Sequence, residues 1–396
     1  MKKRILTGFA LLLLMQLTAQ NTSEPIQSDT SAYKATKLKL EEINLVSSYY
    51  KQDGNHSAVE GGLGTQKLTD ISNAIDVKLT KYGATGKKHT FGLEVGIDHY
   101  SSASSDKIDP STVSSASYSD TRVYPSLSYG LENESTGSAF SAGVSSSSEF
   151  DYQSFGANIG YAKKTRDKSG EFSARFQAYI DQIKLITPIE LRTSDSYATD
   201  NRNTFALSLT YAQIVNKEFQ LLFSADVIRQ DGYLGLPFHR VYFNDQSVHQ
   251  EHLPDSRLKI PLAVRGSYFL GDNVIIRAYY RYYQDDWKLS AHTFDLEVPV
   301  KLSSFVSVSP FYRFYAQTGT KYFAPYGAHS AADEFYTSNY DLSTFDSNFL
   351  GAGIRLAPPK GVFGWGHFSM LEIRYGHYDR SDGLKSHIVS LNLKYK

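Results

Sequence analysis

The residues of this chain whose types could support chemistry fall into three sets. A stretch at 230–256 carries His239, Asp245, His249, Glu251, His252 and Asp255. His249 and His252, three apart and beside carboxylates, are donors suited to a transition metal. No helical periodicity accompanies them to hold both rings on one face, so loop residues without a metal are expected there. Asp255, Asp285 and Asp286 offer oxygens of the kind a hard cation takes. Asp285 and Asp286, however, sit in a tight reversal, Gln284-Asp285-Asp286-Trp287, where turn and capping roles are ordinary. The third set is dispersed. Its basic members are Arg175, Arg265, Arg277, Arg281, Arg313, Arg355 and Arg374, and its acidic members are Glu94, Asp98, Asp226, Asp295, Glu297 and Glu372.

No catalytic pattern joins these sets. A Gly-x-Ser-x-Gly elbow near a suitable His and acid is missing, as is a glycine loop for phosphates. His367, His377 and His387 recur every ten residues, which is strand spacing and no triad. With 0 cysteines, disulfides, thiolate metal sites and a Cys nucleophile are excluded. The 41 basic and 41 acidic side chains cancel, which removes the electrostatic case for a nucleic-acid partner. The sequence therefore implies no enzyme and no cofactor.

The dispersed charges gain meaning from the elements that carry them. In 274–300, Val274, Ile276, Ala278, Tyr280 and Tyr282 alternate with Ile275, Arg277, Tyr279, Arg281 and Tyr283. After the reversal, Phe294, Leu296, Val298 and Val300 alternate with Thr293, Asp295 and Glu297. Soluble strands usually stop near five or six residues, whereas a tilted strand crossing a bilayer needs about nine to eleven. The same pattern recurs along the chain, most cleanly where Phe91, Leu93, Val95 and Ile97 oppose Thr90, Glu94 and Asp98. From residue 37 onward sixteen such segments are predicted, the first (37–50) weakly patterned, with fourteen as the count if that first pair lies outside the wall. Connections at 83–88, 132–137, 163–170, 215–218, 270–273, 301–304 and 357–366 are short. Those at 51–70, 101–119, 184–202, 230–256 and 318–340 are long and irregular.

This is the pattern of an all-β, transmembrane antiparallel β-barrel with short periplasmic turns and long extracellular loops. A β-sandwich would not sort its long loops to one end. Lys2-Lys3-Arg4 followed by the apolar run 5–17 reads as a signal peptide ending at Ala19, too short to span as an anchor. The predicted organisation is signal peptide 1–19, periplasmic tail 20–36 and outer-membrane barrel 37–396. Mean hydropathy is −0.36, and 29 Tyr and 23 Phe stand against 2 Trp, a tyrosine-rich exported profile.

In such a barrel the dispersed charges must face inward, since Arg or Lys on the lipid face at mid-depth costs about 2–4 kcal/mol. Two roles follow for them. Arginines gathered late in the chain could face Glu94 and Asp98 across a pore and sort charged solutes, or Arg277 and Arg281 could pair with Asp295 and Glu297 and stiffen the wall. Tyr279, Tyr283 and Tyr315 could stack a flat ligand or fill a narrowing. The stretch 230–256, with Leu234, Leu236, Phe238, Val241 and Phe243, is apolar enough to fold inward as a constriction or plug.

Several motifs resemble a family catalogued as domain of unknown function 3570, found in Gram-negative envelopes. They are Asp231-Gly232-Tyr233-Leu234, Leu253-Pro254-Asp255-Ser256-Arg257, Tyr280-Arg281-Tyr282-Tyr283-Gln284-Asp285-Asp286-Trp287, Tyr312 to Gln317, and Asp333-Glu334-Phe335-Tyr336. The resemblance implies an outer-membrane barrel of a Gram-negative bacterium with these positions gathered near the outer end. Outer-membrane barrels often end on an aromatic residue, whereas here Tyr395 is penultimate and Lys396 last. The expected partners are outer-membrane lipid, small solutes and the barrel-assembly machinery, with the barrel a monomer. Two functions fit: a channel or carrier for small solutes, or a non-conducting barrel whose outer loops bind a protein or surface glycan.

Overall fold

A computed structural model describes residues 35–101, 119–193 and 197–396. The expected signal peptide, most of the expected tail and residues 102–118 of the loop at 101–119 lie outside the described residues. Among the described residues nineteen strand segments follow in chain order. They begin β1 (Lys39–Asp53), β2 (Leu68–Tyr82), β3 (Lys88–Ser101), β4 (Ser119–Asn133), β5 (Ser138–Ser148) and β6 (Tyr152–Lys164). Next come β7 (Gly170–Leu185), β8 (Ala198–Ile214), β9 (Phe219–Gly232), β10 (Arg240–Tyr242), β11 (Val248–Gln250), β12 (Ser256–Leu270) and β13 (Val274–Asp285). The last are β14 (Ser290–Glu297), β15 (Val300–Lys301), β16 (Val306–Gln317), β17 (Phe345–Leu356), β18 (Phe368–Arg380) and β19 (Lys385–Tyr395).

Every wall strand pairs antiparallel with its neighbours, and β1 pairs with both β2 and β19, which closes the ring. Among the described residues the wall has sixteen strands, because β14 and β15 are two pieces of one. Of the strands among the described residues, only the short hairpin β10–β11 stands apart, in a loop. The sequence pattern expected one unbroken segment through Val300. Pro299, which has no N–H to donate, interrupts it, although its carbonyl still accepts from Ile275 at 3.0 Å. The weak patterning of the first strand has a local cause too. The β1–β2 register shifts between Leu40 and Glu42, so an extra residue breaks the alternation there.

The outward face is apolar and uncovered. Leu127, Phe155 and Ile180 are 57%, 66% and 60% exposed, as are many others round the ring to a lesser degree. A contiguous belt of this size suits lipid and no aqueous surface. The chain is an outer-membrane β-barrel, and with no free strand edge its backbone groups are satisfied within the wall. No described helix is long and apolar enough to cross a membrane.

Buried apolar side chains are concentrated elsewhere. Ile183, Ile186, Phe238, Val241, Phe243, Leu253, Trp287 and Leu289 gather at the outer end, in and beside the long loops. The lipid face gives a direct check of the inward–outward assignment. Leu127→Arg should cost about 2–4 kcal/mol in denaturant unfolding of the bilayer-folded protein, and Ser128→Arg on the opposite face much less. Equal costs at the two positions would mean that the faces are assigned wrongly.

Candidate functional site

The outer mouth is crossed by loops. The β1–β2 loop and the β9–β12 loop are rooted half a circumference apart, with six wall strands between them on either side. They nevertheless touch. Arg240, 1% exposed, donates from Nη1 to the Val59 carbonyl at 2.8 Å and from Nη2 to Glu190 at 2.8 Å. Its Nε also bonds Glu190, and its guanidinium lies over the Phe238 ring. One cation therefore joins the β1–β2, β7–β8 and β9–β12 loops. Phe238 and Ile186 form the apolar centre beside it, with Val59, Phe150 and Tyr197 packed around.

The β16–β17 loop completes the cap. Thr337, fully buried, donates its hydroxyl to Glu251, which also accepts from the Leu236 amide at 2.6 Å and lies 3.6 Å from His239. Burial alone would push the Glu251 carboxyl up, but His239, Thr337 and Leu236 outweigh it and hold the group below its ordinary value. His56 stacks on Tyr340 at 3.8 Å, and Phe243 packs edge-on to Tyr336. The histidines of 230–256 thus go to separate contacts. His249 meets Ser247 at 2.9 Å and His252 meets the Glu334 carbonyl at 2.8 Å.

Two of the motif stretches lock onto each other at the rim. Arg257 bonds Asp285 through Nη2 at 2.5 Å and Nε at 2.9 Å, and its guanidinium stacks over Trp287. Trp287 Nε1 donates to the Ser256 carbonyl at 2.9 Å, and the Trp287 carbonyl accepts from Thr320 and Lys321 of the β16–β17 loop. Tyr283 donates to Asp285 at 2.8 Å, and Asp286 accepts from the Leu258 amide at 3.1 Å. Asp255 contributes its carbonyl, to Gly232. The Asp285 and Asp286 carboxylates are thus engaged in pairing and turn roles that anchor the cap to the wall.

Below the cap several of the inward charges are paired. Glu297 binds Arg277 at 3.0 Å and Arg374 at 2.8 Å, and Arg374 also reaches Glu372 at 3.1 Å. Arg313 meets Asp295 at 2.8 Å, and Arg265 stacks on Tyr279. Tyr280 faces the other way, donating to or accepting from His292 at 2.8 Å on the lipid side. Tyr315 donates to Gln317, Arg355 stands opposite Glu372, and the Arg281 Nε has no hydrogen-bond partner. The opposite wall does not carry carboxylates alone, as a transverse field would require. Asp98 accepts from Ser72 at 2.5 Å and Tyr124 at 3.0 Å, and its register partner is Arg122. Arg202 pairs with Asp181 at 3.3 Å. Arg202 falls in the stretch 184–202 that the sequence reads as loop, whereas Arg122 lies within a segment read as strand and is not among the inward charges expected from it; the alternation places both inward.

The outer turn between β5 and β6 holds a feature the sequence reading missed. Carboxylate oxygens of Asp120, Glu149 and Asp151 lie within 4.8 Å of one another. Tyr100 donates to Glu149, and the Thr121 and Phe150 amides to Asp120. Burial first, then the neighbouring Glu149 and Asp120 charges, pushes Asp151 up from 3.8 to about 6. Between those values the folded state holds the extra proton, so this group's contribution is greatest below pH 4 and is lost as pH rises through about 6. Asp151→Asn should raise the melting midpoint at pH 8 and leave it unchanged at pH 4; equal shifts at both would exclude this linkage.

The motif lock is tested by Arg257→Ala. Asp285 has 0% side-chain exposure, and removing one partner of a buried pair costs about 3–5 kcal/mol. Urea unfolding followed by tryptophan emission should show that loss, together with faster proteolysis at 318–344; unchanged proteolysis would separate the lock from the cap.

No curated protein matches the chain by sequence. Among solved structures, the siderophore receptor PirA from Acinetobacter baumannii is similar at a TM-score of 0.45 and 10% identity, over 85% of this chain and 53% of the receptor, so the chain spans about half of its length. OccD3 (OpdP) of Pseudomonas aeruginosa is similar at a TM-score of 0.44 and 10% identity, over 96% of this chain and 97% of that one. The outer membrane protein opdK of Pseudomonas aeruginosa is similar at 0.43 and 8% identity, over 91% and 98%. The sequence pattern of the family described as Protein of unknown function (DUF3570) matches residues 79–370, well over half of the chain, and the protein belongs to that family.

Proposed function

We propose that the protein is a channel for small solutes whose outer mouth is held constricted by the interlocked loops. The observation that carries this reading is the Arg240 bridge between loops rooted on opposite sides of the ring. A loop that served to hold an external partner would project its apolar side chains. Here Phe238, Val241 and Phe243 are 5%, 0% and 4% exposed because the loops turn them onto each other. The wall beneath supports the same reading: it carries inward ion pairs such as Arg277–Glu297–Arg374 and Arg313–Asp295, a polar lining compatible with water in a barrel of this strand number.

On this reading the inward arginines, Arg277 and Arg281 among them, set ion preference only as far as their carboxylate partners leave them uncompensated. In planar bilayers the native protein should give small steps with weak ion preference. Arg240→Ala should give steps several times larger, because the bridge across the mouth is gone. Arg277→Ala should shift preference toward cations, since Glu297 then retains Arg374 alone. Silence from both the native protein and Arg240→Ala, with circular dichroism showing folded barrels, would overturn the channel reading.

A further inference from the structure

The wall from β3 to β9 contains a niche of about 440 Å³ in its outer half, open to the lumen. That volume lies within the range typical of small-molecule sites. Two tyrosine rings form part of its floor, and glycines opposite them make the room. Tyr124 stands opposite Gly96, where a Cβ would come within 2.0 Å of the ring. Tyr179 stands opposite Gly156, where a Cβ would come within 2.7 Å. Each ring therefore lies along the backbone of its neighbour strand, which a side chain at either glycine would prevent.

The polar groups around these rings are of both signs and in equal number. Glu94 and Asp181 line the niche together with Arg122 and Arg202, and Arg202 pairs with Asp181 at 3.3 Å. Arg122 donates to Ser147 at 2.8 Å, and Arg202 donates to Tyr152 at 3.1 Å. Asp181 is 3% exposed, and its Oδ1 accepts no hydrogen bond, which leaves an acceptor at the niche wall unused. Serine hydroxyls, Ser126 and Ser154 among them, complete the lining.

We infer that this niche is a carbohydrate subsite in the channel wall, sized for one or two neutral sugar rings. Tyrosine rings offer surface to the apolar C–H face of a pyranose. The hydroxyl edges of the same ring need donors and acceptors together, which guanidinium and carboxylate groups supply. The cancelled charge selects against anionic and cationic solutes, which would leave one pair of residues uncompensated. The inference deepens the channel reading and rests on it for access to the lumen from water.

Titration calorimetry of the folded full chain in detergent tests it, with maltose as probe and benzoate as a charged flat control. The Arg240→Ala background is titrated in parallel, so that the cap is not a barrier to entry. Saturable maltose binding is expected, about tenfold weaker in Tyr179→Ala and retained in Tyr179→Phe, with no saturable benzoate binding. No saturable maltose binding in either background, with the barrel folded, overturns the subsite. Binding unchanged by both Tyr124→Ala and Tyr179→Ala overturns it as well. The channel reading fails separately, on silent bilayers, whichever way the calorimetry falls; maltose binding by a silent barrel would leave the subsite standing without a conducting role.

Discussion

A backbone in lipid has no water to accept or donate its hydrogen bonds, and this structure follows from that constraint. An open sheet would leave two rows of N–H and C=O groups at its edges. The pairing of β1 with β19, from Ile43–Tyr395 through Asp53–Lys385, removes both edges at once. Closure then fixes everything else about the wall. Each strand must turn one set of side chains to lipid and the other to the lumen, so it cannot bury an apolar face against a second layer. An ordinary hydrophobic core has no place inside such a wall. It appears instead in the loops, where Ile186, Phe238 and Val241 are more deeply buried than most apolar side chains of the barrel itself.

The cap depends on the wall as much as on its own packing. Loops of this length have little to hold them in one arrangement unless their roots are fixed, and the rim supplies that fixing. Arg257 at the start of β12 and Asp285 at the end of β13 pair across adjacent strands, and Trp287 then presents its carbonyl to the β16–β17 loop. The segment that reads most distinctly in the sequence, Tyr280 to Trp287, thus joins wall to cap. Its tyrosines divide by parity: Tyr280 meets His292 on the lipid side, and Tyr283 meets Asp285 inside.

Much of the wall was legible because a period of two is written into each strand independently of the rest. Phe91 to Ile97 and Val274 to Tyr283 declare their outward faces without knowledge of any neighbour, and sixteen such segments imply the ring. Legibility fails where a local device disturbs the period, as at the extra residue beside Leu40 and at Pro299. It fails again where strands continue past the apolar belt. Arg202 lies on a polar strand end that carries no apolar partner to show its phase. The cap was legible only as a tendency of 230–256 to fold inward. Arg240 meeting Val59 and Glu190 could not be foreseen, since no periodicity links residues so far apart in the chain.

The same distinction between phase and register decides how the lumen charges are understood. Phase places Arg277, Arg313, Asp295 and Glu297 inside, but only register puts opposite charges side by side. Register pairs Arg277 with Glu297 and Tyr279 with Asp295 on adjacent strands, and Asp295 with Arg313 on the next. Each carboxylate is then consumed by a neighbour on its own side of the barrel. A field across the lumen needs charge separated by the diameter, and pairs at about 3 Å act mainly on each other. On the other wall Arg202 pairs with Asp181 in the same manner, and Arg122 stands in register with Asp98. Where the pairs form, the lining presents hydrogen-bond donors and acceptors in quantity with its charge cancelled locally, while Arg265 and Arg281 stand outside these ion pairs. On the proposed channel reading, the paired parts of that lining favour hydroxyls over ionic groups.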